Sequence, residues 1–168
     1  MKQLVIYFSR NGENYTSDGI RNIEIGNTEK VANYIKEITG ASLFKVEPII
    51  EYPYNYHECC NVAKKEIENN IRPKVKNELD DINDYDVIYI GGPIWYGHYP
   101  TPLLTVLEKL DFSSKIVMPF TTHEGSGLGS VISDIKRICN NALIKDGLAI
   151  YGSNASDSKE MLKGWCIK

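Results

Sequence analysis

The chain has 168 residues, 42% of them hydrophobic, which suits one domain with a single solid core. A net charge of −3 and a pI near 5.6 exclude the basic footprint that nucleic-acid binding needs. With no signal peptide, membrane-length apolar run or like-charge tail in view, a cytoplasmic protein without membrane contact is expected.

The first apolar run, Gln3 to Phe8, predicts a strand. A polar stretch from Asn11 to Ile25 follows, too polar for core and too long for a minimal turn. It is either an idle excursion or a flap over a neighbouring site, with Asn14, Tyr15 and Thr16 as candidate contributors. Helix one is expected from Thr28 to Thr39, with Val31, Ile35 and Ile38 on one face, Asn27 as N-cap and Gly40 as stop. Strand two spans Ser42 to Val46, halted before Pro48. A tyrosine-rich connection (Tyr52, Tyr54, Tyr56, with Pro53) leads into helix two, near Tyr56 to Ile71 and ended by Pro73.

An acidic, solvated stretch from Glu78 to Asp86 precedes strand three, Val87 to Gly91. Helix three is expected from Pro102 to Leu110, strand four from Lys115 to Phe120, and helix four from Leu128 to Cys139. Strand five is Leu148 to Tyr151, and a last helix runs from Ser156 to Trp165. Strand-length apolar runs alternating with amphipathic segments imply βαβ units. The expected fold is a single α/β domain over residues 1–168: a doubly wound, five-stranded parallel sheet of order 2-1-3-4-5 with helices on both faces.

The four cysteines (Cys59, Cys60, Cys139, Cys166) form no CxxC and share no zinc-ligand spacing with the three histidines, so no metal site is expected. They read as free thiols of a reducing compartment. No Gly-x-Ser-x-Gly elbow accompanies His57, His98 or His123, and the acidic pair Asp80-Asp81 reads as solvated surface. No side chain is therefore assigned a catalytic role.

In such a sheet, ligands bind outside the carboxyl ends of the strands at the switch point, here between strands one and three. After strand one come Ser9 and Arg10, then Gly26-Asn27-Thr28 at a helix start: two hydroxyls, backbone N–H groups and one cation. That set suits a terminal phosphate. Gly-Asn-Thr before a helix is often only a cap, but its place after strand one favours the phosphate. Neither the P-loop pattern nor the dinucleotide glycine pattern is present. After strand three comes Gly91-Gly92-Pro93-Ile94-Trp95-Tyr96-Gly97, whose aromatics suit a flat ring; either Trp95 or Tyr96 is the stacking residue. The third arm follows strand four. There the backbone amides of Thr122, His123 and Glu124 are candidates to bond the ring's carbonyls and stabilise negative charge on its reduced form, and the small residues Gly125, Ser126 and Gly127 allow close approach. A phosphate at one end and a flat ring at the other together suggest a site for flavin mononucleotide, FMN.

At these residues the chain resembles the flavodoxins over almost its full length, as a subfamily with a segment inserted in the phosphate loop. The matching stretches are YFSRNGENY, GNTEKVA, Tyr52-Pro53 with Tyr56, YDVIYIGGPIWYG and PFTTHEGSGLG. The resemblance implies a flavodoxin-like fold and non-covalent FMN, with Ser9, Arg10, Asn27 and Thr28 on the phosphate. It places Pro93, Ile94, Trp95, Tyr96 and Gly97 on one side of the ring and Thr122 through Gly127 on the other. Two departures stand out. Electron-carrier flavodoxins are typically strongly acidic around the flavin, whereas this chain is only mildly acidic; what asymmetry it has sits near the site, where residues 84–124 carry five acids and two bases, net −3. The third arm also has no Phe, Tyr or Trp after Phe120, which leaves one ring face open to a flat substrate or a nicotinamide.

Three functions follow as expectations. The first is an FMN-binding redox protein carrying electrons between a reductase and an acceptor, either a partner protein or a small molecule. The second is an NAD(P)H-dependent FMN oxidoreductase of quinones or similar flat substrates. The third is a flavin-free binding or scaffolding module, against which the intact phosphate and ring loops argue.

Overall fold

Strand β1 (Gln3–Tyr7) turns Leu4 and Ile6 to one face and Val5 and Tyr7 to the other, and all four are buried. A strand buried on both sides needs a helical layer on each side. In the computed structural model, which describes residues 1–167, those layers are present. The chain continues through β2 (Gly12–Thr16), β3 (Gly19–Ile23), α1 (Asn27–Thr39), β4 (Ser42–Lys45), α2 (Tyr56–Glu68) and β5 (Val87–Pro93). Next come α3 (Thr101–Leu107), β6 (Ile116–His123), α4 (Val131–Ile138), β7 (Leu143–Ile144) and β8 (Leu148–Tyr151). A 3₁₀ turn (Gly152–Asp157) and α5 (Lys159–Trp165) close it.

The main sheet is parallel in the order β4-β1-β5-β6, with β7 and β8 both paired to the outer edge of β6. Helices α1 and α5 cover the face of Val5 and Tyr7 through Val31, Ile35 and Leu162. Helices α3 and α4 cover the opposite face through Leu103, Leu107, Val131 and Ile135, and α2 packs against α3. The expected order is present, with corrections. The fifth position is divided between β7, on Ile116 and Val117, and β8, on Phe120 through His123. A two-residue strand broken by Lys145-Asp146-Gly147 carries too little pattern to be read.

A second correction falls on residues 11–25, where no strand was expected. Residues 12–23 form an antiparallel hairpin separate from the main sheet. Its turn, Ser17-Asp18, leads into Gly19 at φ +88°, and Thr16 Oγ1 donates to Gly19 O at 2.8 Å. Strands β5 and β6 also outrun their expected ends, because parallel pairing continues from Gly91↔Phe120 to Pro93↔Thr122. Helix α4 starts only at Val131, after a turn closed by Gly129 N–H on Ser126 O. The chain's last helix begins at Lys159, behind the 3₁₀ turn. At α1 the N-cap is Gly26, and Asn27 is the first helical residue.

Candidate functional site

The carboxyl ends of β1, β5 and β6 lie side by side, so the segments after them converge. They enclose a cavity of about 320 Å³. It is lined by Ser9, Arg10, Asn27 and Thr28 from the first arm and Pro93, Ile94 and Trp95 from the second. The third arm contributes Thr122, His123, Glu124 and Ser126. Tyr96, Gly97, Gly125 and Gly127 do not face it.

The first arm is tightly built. Ser9 Oγ accepts the N–H of Glu29 at 3.1 Å, fastening the strand end to the first turn of α1. Gly26 is needed for that approach, since a Cβ there would lie 2.1 Å from Ser9 Oγ. Thr28 is 1% exposed, and its hydroxyl lies 2.8 Å from that of Thr122, 4% exposed. A helix head leaves its first N–H groups without intrahelical acceptors, so amides and hydroxyls gather at this end. Arg10 has other duties: its guanidinium donates to the carbonyls of Glu13, Pro53 and Tyr54, the last two at 2.7 Å. On its far side a more open cleft of about 480 Å³ is flanked by Lys45 and Lys76, already paired with Glu29 and Glu51.

In the second arm, Trp95 packs edge-on against Phe8 and Tyr52, with ring centroids 5.3 and 4.9 Å away. One side of the indole is thus fixed by the core while its remainder faces the cavity. Trp95 and His98 exchange backbone hydrogen bonds across a two-residue turn in which Tyr96 and Gly97 have φ of +50° and +85°. That turn directs Tyr96 outward, 52% exposed, with its hydroxyl donating to Cys60 O at 3.2 Å. Of the two aromatics, Trp95 is the one beside the cavity.

In the third arm, Thr121 to His123 belong to β6 and pair with β8, so the loop proper starts at Glu124. Gly125 N–H donates to His123 Nδ1 at 2.8 Å, which puts the proton of the neutral imidazole on Nε2. Burial holds the His123 pKa below its ordinary value, with the adjacent Glu124 pulling the other way. Glu124 Oε1 accepts from both N–H and Oγ of Ser153, at 2.8 and 2.7 Å.

Sequence reasoning left open what residues 11–25 do. The hairpin spans the cavity: Glu13 accepts the Tyr56 N–H at 2.8 Å on one side, and Ser17 N–H reaches Ser153 Oγ at 3.1 Å on the other. It brings Asn14 and Tyr15 to the lining, Tyr15 lying 6.2 Å from Tyr56 with rings at 34°. Tyr56 and Gly152 are lining residues that were missed. Tyr56 belonged to the Tyr52-Pro53 element that carries the resemblance but was given no part in the site, and Gly152, hidden behind β8, is marked by no local motif. Burial and the Cys60 thiol push the Tyr56 phenol up to about 12, so it remains an O–H donor. Among the described residues no group of His, Cys, Asp and Glu could hold a metal ion, and no helix is long and apolar enough to cross a membrane.

The flavodoxin family model matches residues 20–168, and the chain belongs to that family. The match begins inside the second strand of the hairpin. A protein designated a flavoprotein, from Bacteroides uniformis, is 25% identical with a TM-score of 0.75, covering 98% of this chain and 96% of its own. A flavoprotein of Lactobacillus acidophilus, solved in complex with FMN, is 23% identical with a TM-score of 0.64, covering 93% and 97%. Flavodoxin 2 of Bacillus cereus shares the fold at 18% identity and a TM-score of 0.50, covering 95% and 96%. No curated protein matches the chain.

Proposed function

We propose that this flavodoxin-family chain binds FMN in the cavity between its three arms and passes electrons through it from a reductase to an acceptor. The observation that carries the reading is the buried Thr28–Thr122 hydroxyl pair beside the head of α1. Two hydroxyls hold two protons and share one hydrogen bond, so the pair keeps a donor for a ligand. With Ser9 and the helix amides it makes a cradle of donors for a phosphate, in which Glu124 is turned to Ser153.

At the other end, Trp95 offers a core-braced aromatic surface. The cavity volume lies at the lower end of the about 300–1,000 Å³ typical of small-molecule sites. When bound, FMN supplies the electron-transfer chemistry. The chain's own residues bind and orient it. Thr28, Thr122 and Ser9 hold the phosphate, neutral His123 presents Nε2–H, and the hairpin limits access of water from above. Four free thiols fit a reducing cytoplasm as its setting.

Titration of the apoprotein with FMN, followed by loss of free flavin fluorescence, tests this. Tight one-to-one quenching supports it. No binding up to tens of micromolar, weaker than about −6 to −7 kcal/mol, overturns it. NAD(P)H-dependent reduction of small flat substrates is the second reading. It is favoured by a recess that continues the cavity past Trp95, and anaerobic bleaching of the bound flavin by NAD(P)H tests it.

A further inference from the structure

Behind Trp95 stands a carboxylate that does not line the cavity, that of Glu66. The indole belongs to a cluster of three rings, each nearly edge-on to the other two. Centroid distances are 5.3 Å for Phe8–Trp95, 4.9 Å for Tyr52–Trp95 and 5.9 Å for Phe8–Tyr52, at angles of 75°, 84° and 89°. Phe8 follows β1 directly, is 3% exposed and is fixed by the core. Tyr52 is placed differently. It lies half-buried in the irregular connection between β4 and α2, with no strand or helix to set its ring. Its phenol donates to Glu66 Oε2 at 2.5 Å, and the same oxygen accepts the hydroxyl of buried Thr101 at 2.8 Å. Glu66 is on α2 and Thr101 opens α3, so one carboxylate oxygen ties the connection and two helices together behind the indole. A separation of 2.5 Å is that of a charge-assisted O–H···O⁻ bond, roughly twice as strong as a neutral one. Burial and this bond hold the Tyr52 phenol well above its ordinary pKa, so it stays a donor.

We propose that Glu66 is a positioning residue for the cofactor: its carboxylate holds Tyr52 against the edge of Trp95 and so fixes the indole surface that the flavin ring meets. The inference rests on the FMN reading and on Trp95 as the aromatic surface of that site. Glu66 touches no ligand. The placement of α2 and α3 reaches the indole through one hydrogen bond and one ring contact.

Three variants separate positioning from plain stability. Glu66→Ala removes the acceptor, and Glu66→Gln restores a carbonyl oxygen of the same reach. Tyr52→Phe keeps the ring, deletes the phenol and leaves Glu66 to Thr101, so it carries the test if Glu66→Ala does not fold. FMN affinity is titrated for each, in the parent and in a Trp95→Ala background. Glu66→Ala and Tyr52→Phe should each weaken binding roughly two- to tenfold, the worth of one aromatic contact. Their combination should be no weaker than either alone, and Glu66→Gln should bind like the parent. In the Trp95→Ala background all of these differences should vanish. The apoprotein supplies a readout without flavin: Trp165→Phe removes the other indole, and acrylamide quenching then reports Trp95 alone. Quenching should rise in Glu66→Ala and Tyr52→Phe but not in Glu66→Gln. Losses of equal size with and without Trp95, or a Glu66→Gln variant as weak as Glu66→Ala, overturn the proposal and leave Glu66 as a link between helices. A parent that binds no FMN overturns the cofactor reading instead; unchanged quenching in the apoprotein variants then overturns the bracing of Trp95, and raised quenching sustains it.

Discussion

Replacing Thr28 by valine removes one oxygen and keeps the β-branched shape. The hydroxyls of Thr28 and Thr122 lie 2.8 Å apart at 1% and 4% exposure, and no buried side-chain polar atom among the described residues lacks a partner. Thr28→Val leaves the Thr122 hydroxyl buried without its partner, costing about 1–3 kcal/mol. The double variant Thr28→Val with Thr122→Val removes both polar atoms, so its stability should return close to that of the parent. Urea unfolding of the apoprotein reads this as a lower midpoint at unchanged slope for each single variant and near-recovery in the double. FMN affinity should behave otherwise. Both the single and the double variant lose a donor to a charged phosphate, about 1.5–3 kcal/mol or roughly 10- to 150-fold in dissociation constant. A double variant as unstable as the two singles summed would refute the hydroxyl pairing, and undiminished FMN affinity in all three would refute the phosphate role.

Arg10→Lys should cost about 1–3 kcal/mol, because an ammonium cannot hold the carbonyls of Glu13, Pro53 and Tyr54 together. Tryptic cleavage at Arg21 in the hairpin should accelerate, and unaltered cleavage would show that the clamp is idle. Trp95→Ala removes two edge-to-face contacts of about 0.5–1.5 kcal/mol each, so the apoprotein should lose about 1–3 kcal/mol. FMN binding should weaken more in Trp95→Ala than in Trp95→Phe, and equal affinities would remove Trp95 from the ring. Stability should also fall as pH drops below about 6.5: with the His123 pKa depressed by burial, the unfolded chain takes up its proton first. His123→Gln should flatten that dependence between about pH 7.5 and 5; identical slopes in parent and variant would exclude His123 as its source.

The architecture was legible because the central strands β1, β5 and β6 are buried on both faces. Runs such as Val87-Ile88-Tyr89-Ile90 are apolar without interruption and flanked by polar segments, a pattern with one plausible reading. The hairpin was not legible for the opposite reason. Its strands, Gly-Glu-Asn-Tyr-Thr and Gly-Ile-Arg-Asn-Ile, have no core to face, and only Asp18-Gly19 hints at the turn. What holds it lies far off in sequence: Tyr56, Pro53 and Tyr54 at one side and Ser153 at the other. Polar segments docked by long-range hydrogen bonds leave no periodic trace.

The same distinction separates what the three arms reveal from what they conceal. Ser9 and Trp95 follow strand ends, Thr122 sits at one and Thr28 opens the helix after the first, and strand ends of a doubly wound sheet meet by topology alone, so their convergence could be inferred. Choosing between a carrier and an oxidoreductase depends on whether a small molecule can lodge beside the ring. The recess past Trp95 exists because α2 stands off from the Trp95–His98 turn, with Tyr96 reaching across to the carbonyl of Cys60, 36 residues away. The left-handed turn at Tyr96-Gly97 puts one aromatic into the cavity and the other over the recess. A pair of adjacent aromatics in the sequence is therefore a divider between two spaces, and no local motif announces the second of them.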